Sequence, residues 1–150
     1  MSQLLQHGAF PMFALCASYL ILLMIIVGHL TGFLRIKFGH AANEEDFEAF
    51  RLESGDTSET NPTVDRYERL HRNHLESTLP FLAFGMIYLA TDPGTGLATA
   101  LFAVFTIMRT IFSVCYINAI QPFRSLSFIV GEICVVVMVV QAGWYGLGHL

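Results

Sequence analysis

Residues 10–34 read FPMFALCASYLILLMIIVGHLTGFL and contain no Asp, Glu, Lys or Arg. Their only clearly polar side chains are Ser18, His29 and Thr31. An apolar run of about 20 residues is long enough to cross the hydrocarbon core of a bilayer as a helix. The run is longer than the apolar core of a signal peptide, and no Lys or Arg precedes it, so we expect a retained membrane span.

Three further apolar blocks follow, over residues 75–90, 97–119 and 126–147, and the last two contain one charged residue each. The first of the three is short, but residues 64–77 can extend it as one helix whose first turns reach into the headgroup region. The sequence therefore predicts an all-α fold, an integral membrane four-helix bundle. The spans are expected at about 9–34, 64–90, 96–119 and 124–147, in one domain of residues 1–150.

Residues 35–63 form the longest polar segment and are expected to be a loop, with a short helix over residues 44–52. Six of the eight Lys and Arg residues lie between positions 35 and 72. Because basic loops face the cytoplasm, we expect this connection on the cytoplasmic side and both termini opposite. The membrane would be the endoplasmic reticulum in a eukaryote or the inner membrane in a bacterium. Thr63 is the expected N-cap of the second span.

Residues 68–77 read ERLHRNHLES and place several charges at the mouth of an apolar helix. Four of their side chains share one helical face, because they are spaced by three, four and seven residues. These four are Arg69, Arg72, Asn73 and Glu76. Polar residues at a membrane helix are costly and usually have a function, so we expect a bound polar ligand.

The other polar residues of the predicted spans point to the same depth. Arg109 and Tyr116 lie seven residues apart near the cytoplasmic half of the third span, and Arg124 and Ser125 begin the fourth. Several guanidinium groups favour an anion with more than one carboxylate or phosphate. Because Glu76 could bind an amine, the predicted ligand is a small zwitterion with several carboxylates.

Structural roles are the alternatives for these residues. Arg72 and Glu76 could form an ion pair along one helix, and Arg109 could pair with Glu132 between the third and fourth spans. Tyr116 could be an interfacial aromatic residue.

We expect no metal site. His71 and His74 lie three residues apart with Glu76 nearby, but no third ligand converges on them. The three cysteines fall within predicted spans and lack metal-ligand spacing. No basic stripe indicates a nucleic-acid partner either.

Two stretches resemble the membrane-associated eicosanoid and glutathione metabolism (MAPEG) family. They are residues 68–76, ERLHRNHLE, followed by Pro80-Phe81-Leu82, and residues 122–128, PFRSLSF. The arginine and tyrosine of the third span and the first connection, over residues 31–35 and 42–46, are also similar to that family. The resemblance covers nearly the whole chain.

The resemblance implies a homotrimer that binds glutathione between neighbouring subunits near the cytoplasmic face. Arg124 would stabilise the glutathione thiolate, Ser125 would donate a hydrogen bond to the sulfur, and Asp46 would orient Arg124. His71 would support the site. By matching position, the glutathione-binding residues would be Arg35, Arg69, Arg72, Asn73, Glu76, Arg109, Tyr116 and Phe128.

The activity that the resemblance implies is glutathione transfer to a lipophilic electrophile from the bilayer, with lipid-hydroperoxide peroxidase activity as an addition. A glutathione-dependent prostaglandin-endoperoxide isomerase is the first alternative. Phe128, Phe112 and Ile25 differ from the tyrosine, histidine and tyrosine of that branch, whereas Ser125 matches it. A non-enzymatic, lipid-presenting protein is the second alternative, but that branch lacks the arginine-rich set.

Overall fold

The structure is a computed structural model that describes residues 2–39, 44–50 and 61–150. Within those ranges the chain forms helices and turns and no strand, so the all-α prediction is confirmed. The helices are α1 (Ser2–Gln6), α2 (Phe10–Lys37), α3 (Glu44–Ala49), α4 (Pro62–Ala90), α5 (Thr95–Ile117) and α6 (Phe123–Leu147). Only α1 has no counterpart in the sequence predictions. The end of the short helix expected over residues 44–52 lies outside the described residues.

Three helices, α2, α5 and α6, are long and apolar enough to cross a membrane, judged by length and composition over the described residues. α4 is not among these three, because charged and polar side chains fill its first half. The span predicted at about 64–90 is therefore confirmed as a continuous helix, and its passage through the membrane stays a prediction.

The first turn of α4 is capped by Asn61, so the prediction that Thr63 is the N-cap was wrong. The Asn61 side-chain oxygen accepts hydrogen bonds from the backbone N–H groups of Thr63 at 2.9 Å and Val64 at 3.4 Å. Pro62 follows at the first helical position, where its missing N–H is not needed. Asp65 lies in the first turn, where the helix dipole favours a negative charge.

Aromatic side chains fill one half of the bundle, between the C-terminal part of α4 and the N-terminal parts of α2 and α5. Phe81 stacks on Phe105 with 4.2 Å between ring centroids, and it meets Phe102 edge to face at 5.9 Å. Phe13 from α2 packs on Phe102 at 5.1 Å. A Cβ atom at Gly85 would overlap the Phe13 ring, so glycine allows this approach. We call this region the aromatic half.

The turn between α4 and α5 closes the aromatic half with help from the N-terminal segment. His7 Nε2 donates a hydrogen bond to the backbone oxygen of Pro93 at 2.8 Å, and His7 Nδ1 accepts one from Ala9 N at 3.1 Å. This pair of bonds fixes the tautomer of the ring. The start of α2 is thereby joined to the α4–α5 turn.

A tight corner joins α5 to α6 at the opposite end. Ala119 adopts φ of 57°, a left-handed conformation that is unfavourable for any residue with a Cβ atom. The N–H of Ile120 bonds to the carbonyl oxygen of Cys115 at 2.9 Å, which ends the helix as in a Schellman motif. The corner sets the direction of the first turn of α6, where Arg124 and Ser125 lie.

Candidate functional site

One face of α4 is exposed in the part of the chain that the structure describes. Arg69, Arg72 and Glu76 are exposed on this face, and Asn73 is half-buried at its edge. The exposed face continues towards the aromatic half through Leu79 and other apolar residues. The structure thus brings the four polar residues predicted to share a face to one open surface, which we call the open face.

Asn73 connects the open face to Arg109 in the interior. Arg109 Nη2 donates hydrogen bonds to the Asn73 side-chain oxygen at 2.6 Å and to its backbone oxygen at 3.3 Å. The Arg109 side chain is fully buried, and its Nε and Nη1 atoms have no hydrogen-bond partner among the described residues. Among the described residues Arg109 forms no direct ion pair with Glu132, and the neutralisation of these two charges stays a prediction.

A second hydrogen-bonded chain links α4 to α5 beside Arg109. His74 Nε2 and Ser113 Oγ lie 2.9 Å apart, and the Ser113 hydroxyl donates to the backbone oxygen of Arg109 at 2.7 Å. His74 is fully buried, so it packs inside the bundle and does not face the open face. The part of the chain that the structure describes contains no group of three His, Cys, Asp or Glu side chains that could hold a metal ion.

Aromatic rings connect Arg109 to the start of α6. The Arg109 guanidinium lies 4.5 Å from the Phe112 ring centroid, and Phe112 packs on Tyr116 at 5.3 Å. The Arg124 guanidinium lies over the Tyr116 ring at 5.0 Å, and Phe128 packs on Phe112 at 5.8 Å. Arginines at both ends of this stack gain cation–π stabilisation. These contacts bring Arg109, Tyr116 and Arg124 together within a single subunit, and their convergence at one membrane depth stays a prediction.

Gln121 is a polar neighbour of Arg124 and Ser125 that was not among the site residues predicted from the sequence. Its amide oxygen accepts from Arg124 Nε at 3.0 Å and also from Nη2, and its amide nitrogen donates to Ser125 Oγ at 3.1 Å. In the reverse orientation, the amide N–H groups of Gln121 would face the N–H groups of Arg124, and two donors form no hydrogen bond. The orientation described here is therefore the chemically consistent one. Gln121 lies three residues before Arg124 and four before Ser125, and this spacing was the signal in the sequence for the contact.

A polar cleft lies on the other flank of the open face, between α2 and α4. Arg35 Nε donates to Glu68 at 2.7 Å, and the cleft has a volume of about 330 Å³. Arg72 lines the same cleft and forms no ion pair with Glu76 within the described residues, so that alternative was wrong. His71 packs closely on α2, because Gly28 leaves room for the imidazole ring.

An apolar cleft of about 590 Å³ continues from the polar one along α2. The two clefts share Gly28, Gly32 and His71. Ile25 and Phe33 are exposed along the apolar cleft. The charged lining of the polar cleft and the hydrocarbon lining of the apolar cleft thus meet at these three shared residues.

The sequence-predicted residues therefore fall into two groups on either side of the open face. Arg35, Arg72 and His71 lie on the α2 flank, and the group around Arg109 and Arg124 lies on the α5 and α6 flank. Asp46 is half-buried in α3 and forms no ion pair with Arg124. Its orienting role stays a prediction.

Comparison with known proteins identifies the family of this arrangement. The model of the MAPEG family matches residues 13–144, which is most of the chain. The chain belongs to the MAPEG family. This membership, together with the three helices able to cross a membrane, makes it an integral membrane protein.

Two curated MAPEG groups are similar to the chain over nearly its full length. Prostaglandin E synthase of Homo sapiens is 31% identical over 150 residues, which cover 99% of this chain and 97% of that protein. The prostaglandin E synthase of Canis lupus familiaris is 33% identical over 148 residues, with 98% and 95% covered. Microsomal glutathione S-transferase 1 of Homo sapiens is 32% identical over 136 residues, with 87% and 86% covered.

Proposed function

We propose that this MAPEG protein is a membrane-bound glutathione transferase that activates the glutathione thiol for attack on lipophilic electrophiles. One observation carries the proposal: the open face presents arginines, an amide and a carboxylate beside a polar cleft that continues into an apolar one. A hydrophilic thiol and a hydrocarbon-soluble electrophile need such a junction. The similarity to a glutathione S-transferase at 32% identity supports the same activity.

The chemistry of glutathione matches the charges of the open face. Its two carboxylates suit Arg69 and Arg72, because guanidinium groups bind carboxylates bidentately. Its amine suits Glu76, which has no ion-pair partner among the described residues. Arg109 is buried behind Asn73, so we assign it an indirect role: it orients the Asn73 amide towards the ligand.

We infer that the protein is a homotrimer of four-span subunits and that the open face is completed by a neighbouring subunit. Below its polar residues, the open face exposes Leu79, Met86 and Ile87 to the surroundings of the single chain. A continuous exposed helical face of this kind is suited to pack against its own copies in a closed ring. The α2 flank of one subunit would then meet the α5 and α6 flank of the next.

Arg124 and Ser125 are the proposed catalytic pair. A free thiol has a pKa of about 8.5 and is mostly protonated at neutral pH, although the thiolate is the nucleophile. Lowering that pKa by about two units requires a preference for the anion of about 2.7 kcal/mol. A guanidinium and a hydroxyl donor beside the sulfur can supply this preference through charge-assisted hydrogen bonds. Phe128, which packs on Phe112 beside them, would border the sulfur position.

The transfer reaction then follows from the two clefts. The thiol proton leaves to solvent, the thiolate forms a bond to the electrophilic carbon, and the leaving group departs with the bonding electron pair. The electrophile would reach the sulfur along the apolar cleft, whose exposed Ile25 and Phe33 are suited to contact with lipid. A lipid hydroperoxide in the same cleft would be reduced to its alcohol when the thiolate takes the terminal oxygen and the O–O bond breaks. The resulting glutathione sulfenic acid would then condense with a second glutathione to give the disulfide and water.

A glutathione-dependent isomerase is the second candidate, favoured by the prostaglandin E synthases at 31–33% identity. The two activities differ in stoichiometry, because a transferase consumes glutathione and an isomerase regenerates it. Titration of free thiol during turnover of an endoperoxide or of a simple electrophile separates them. A non-enzymatic lipid-presenting protein would bind no glutathione.

Calorimetry of the purified protein in detergent tests the proposal. We expect glutathione to bind and Arg72→Ala to weaken binding by about tenfold or more, since one guanidinium–carboxylate contact is lost. Lys37→Ala is the matched control, because Lys37 is an exposed cation outside the polar cleft. Absence of binding at millimolar glutathione would end the proposal. The ultraviolet absorbance of bound thiolate should decrease in Arg124→Ala, and an unchanged signal would remove Arg124 from its role.

A further inference from the structure

We propose that Gln121 is a positioning residue that holds Arg124 and Ser125 in the geometry needed to stabilise the thiolate. This inference rests on the function proposed above. Gln121 does not touch the substrate in this assignment; it acts through the two residues that do.

The amide of Gln121 bridges both members of the catalytic pair. Its oxygen accepts from Nε and Nη2 of Arg124, and its nitrogen donates to the Ser125 hydroxyl oxygen at 3.1 Å. The Tyr116 ring covers the guanidinium plane at 5.0 Å. Arg124 is thus held along one edge and on one face, and it forms no ion pair with any described carboxylate.

The direction of these bonds leaves the useful donors free. Because the Gln121 amide nitrogen donates to Ser125, the serine oxygen acts as acceptor and its own O–H can donate to another atom. Nε and Nη2 of Arg124 share the Gln121 amide oxygen as acceptor. Nη1 has no hydrogen-bond partner among the described residues and can donate to a ligand. Donors fixed before the charge develops stabilise an anion without reorganisation.

The neutrality of the amide matters as much as its position. A carboxylate at position 121 would accept hydrogen bonds from the Arg124 guanidinium and neutralise its charge. It would also accept a hydrogen bond from the Ser125 hydroxyl. The positive charge of Arg124 and the hydroxyl donor of Ser125 would then be used within the protein and would no longer stabilise the thiolate. Glutamine can orient both residues and leave the full positive charge of Arg124 for the sulfur.

The test measures the pKa of bound glutathione thiol by following thiolate absorbance against pH. Gln121→Glu should raise that pKa by about one unit or more, because it pairs with Arg124. Gln121→Met should raise it less and should lower kcat with little change in the KM for glutathione, because the carboxylate contacts lie on the open face. Asn118→Asp is the matched control: it adds the same charge in the same corner, where Asn118 bonds to Val114 O at 2.8 Å.

The outcomes separate this inference from the function on which it rests. A wild-type protein that binds glutathione as a thiolate, with a thiol pKa unchanged in Gln121→Glu, would overturn the role of Gln121 alone. A wild-type protein that shows no thiolate with saturating glutathione would overturn both proposals. An equal shift in Asn118→Asp would also refute the positioning role, since it would show a general charge effect.

Discussion

The two halves of the bundle are built differently. In the aromatic half, rings from α2, α4 and α5 pack against one another with centroid distances of 4.2–6.5 Å, and no buried charge interrupts them among the described residues. In the half that contains Arg109, which we call the polar half, the apolar cluster shrinks to Val27, Leu70 and Phe112 with partly buried neighbours. The aromatic half thus holds the subunit together, while the polar half contains the residues of the proposed ligand site.

The polar half contains most of the buried polar atoms without a partner among the described residues, and Thr78 Oγ1 on α4 is the remaining one. His74 Nδ1 and two nitrogens of Arg109 are buried without partners among the described residues. Each unsatisfied buried polar atom costs about 1–3 kcal/mol. Natural proteins tolerate such violations mainly at functional sites, which agrees with the site proposed there.

The largest expected effect is the loss of a ring from the aromatic half. Phe81→Ala should destabilise the protein by about 3–5 kcal/mol, because the side chain is fully buried and its stacking on Phe105 would be lost. Thermal unfolding in detergent measures this change. Leu22→Ala is the control, since Leu22 is exposed on α2 and should have little effect. Equal losses for the two variants would show that the aromatic half is not the stabilising one.

A double-mutant cycle in the polar half should give an intermediate effect. Asn73→Leu removes the side-chain oxygen that accepts from Arg109 Nη2. It should lower the free energy of unfolding by about 1–3 kcal/mol, because a buried guanidinium is left with fewer partners. Adding Arg109→Met should recover part of that loss, since no buried charge then needs a partner. Thermal unfolding of the wild type, both single variants and the double variant gives the coupling energy. Simple additivity would contradict the link between the two residues.

The smallest expected effect is a gain at the α5–α6 corner. Ala119→Gly should stabilise the protein by about 1 kcal/mol, because glycine adopts the left-handed conformation without a steric penalty. Ala100→Gly is the opposite control: it lies exposed within α5, where glycine should destabilise by a similar amount. Unfolding midpoints measured side by side decide the sign. A loss of stability in both variants would show that the corner does not require that conformation.

Hydropathy predicted the positions of the four long helices because long apolar runs in water-poor surroundings form helices. Helical periodicity also placed Arg69, Arg72, Asn73 and Glu76 on one face, and the structure leaves that face open. The family resemblance is confirmed by the match over residues 13–144. These features depend on local spacing and composition, which a single sequence contains.

Side-chain partners were harder to predict, because they depend on which helices meet. Arg66 donates to Ile117 O at the end of α5, and Glu68 accepts from Arg35 on α2. Arg109 bonds to Asn73 and not to Glu132 for the same reason. Gln121 was missed because its contacts need the corner between α5 and α6.

The open face of α4 places the proposed ligand-binding residues and the proposed surface for neighbouring subunits on the same helix. In the proposed trimer, association and glutathione binding are then thermodynamically coupled, and the coupling is equal in both directions. The proposed trimer saturated with glutathione should therefore dissociate into subunits at a higher detergent concentration than the trimer without glutathione. The supply of thiol would thereby control the lifetime of the assembly as well as its rate of turnover.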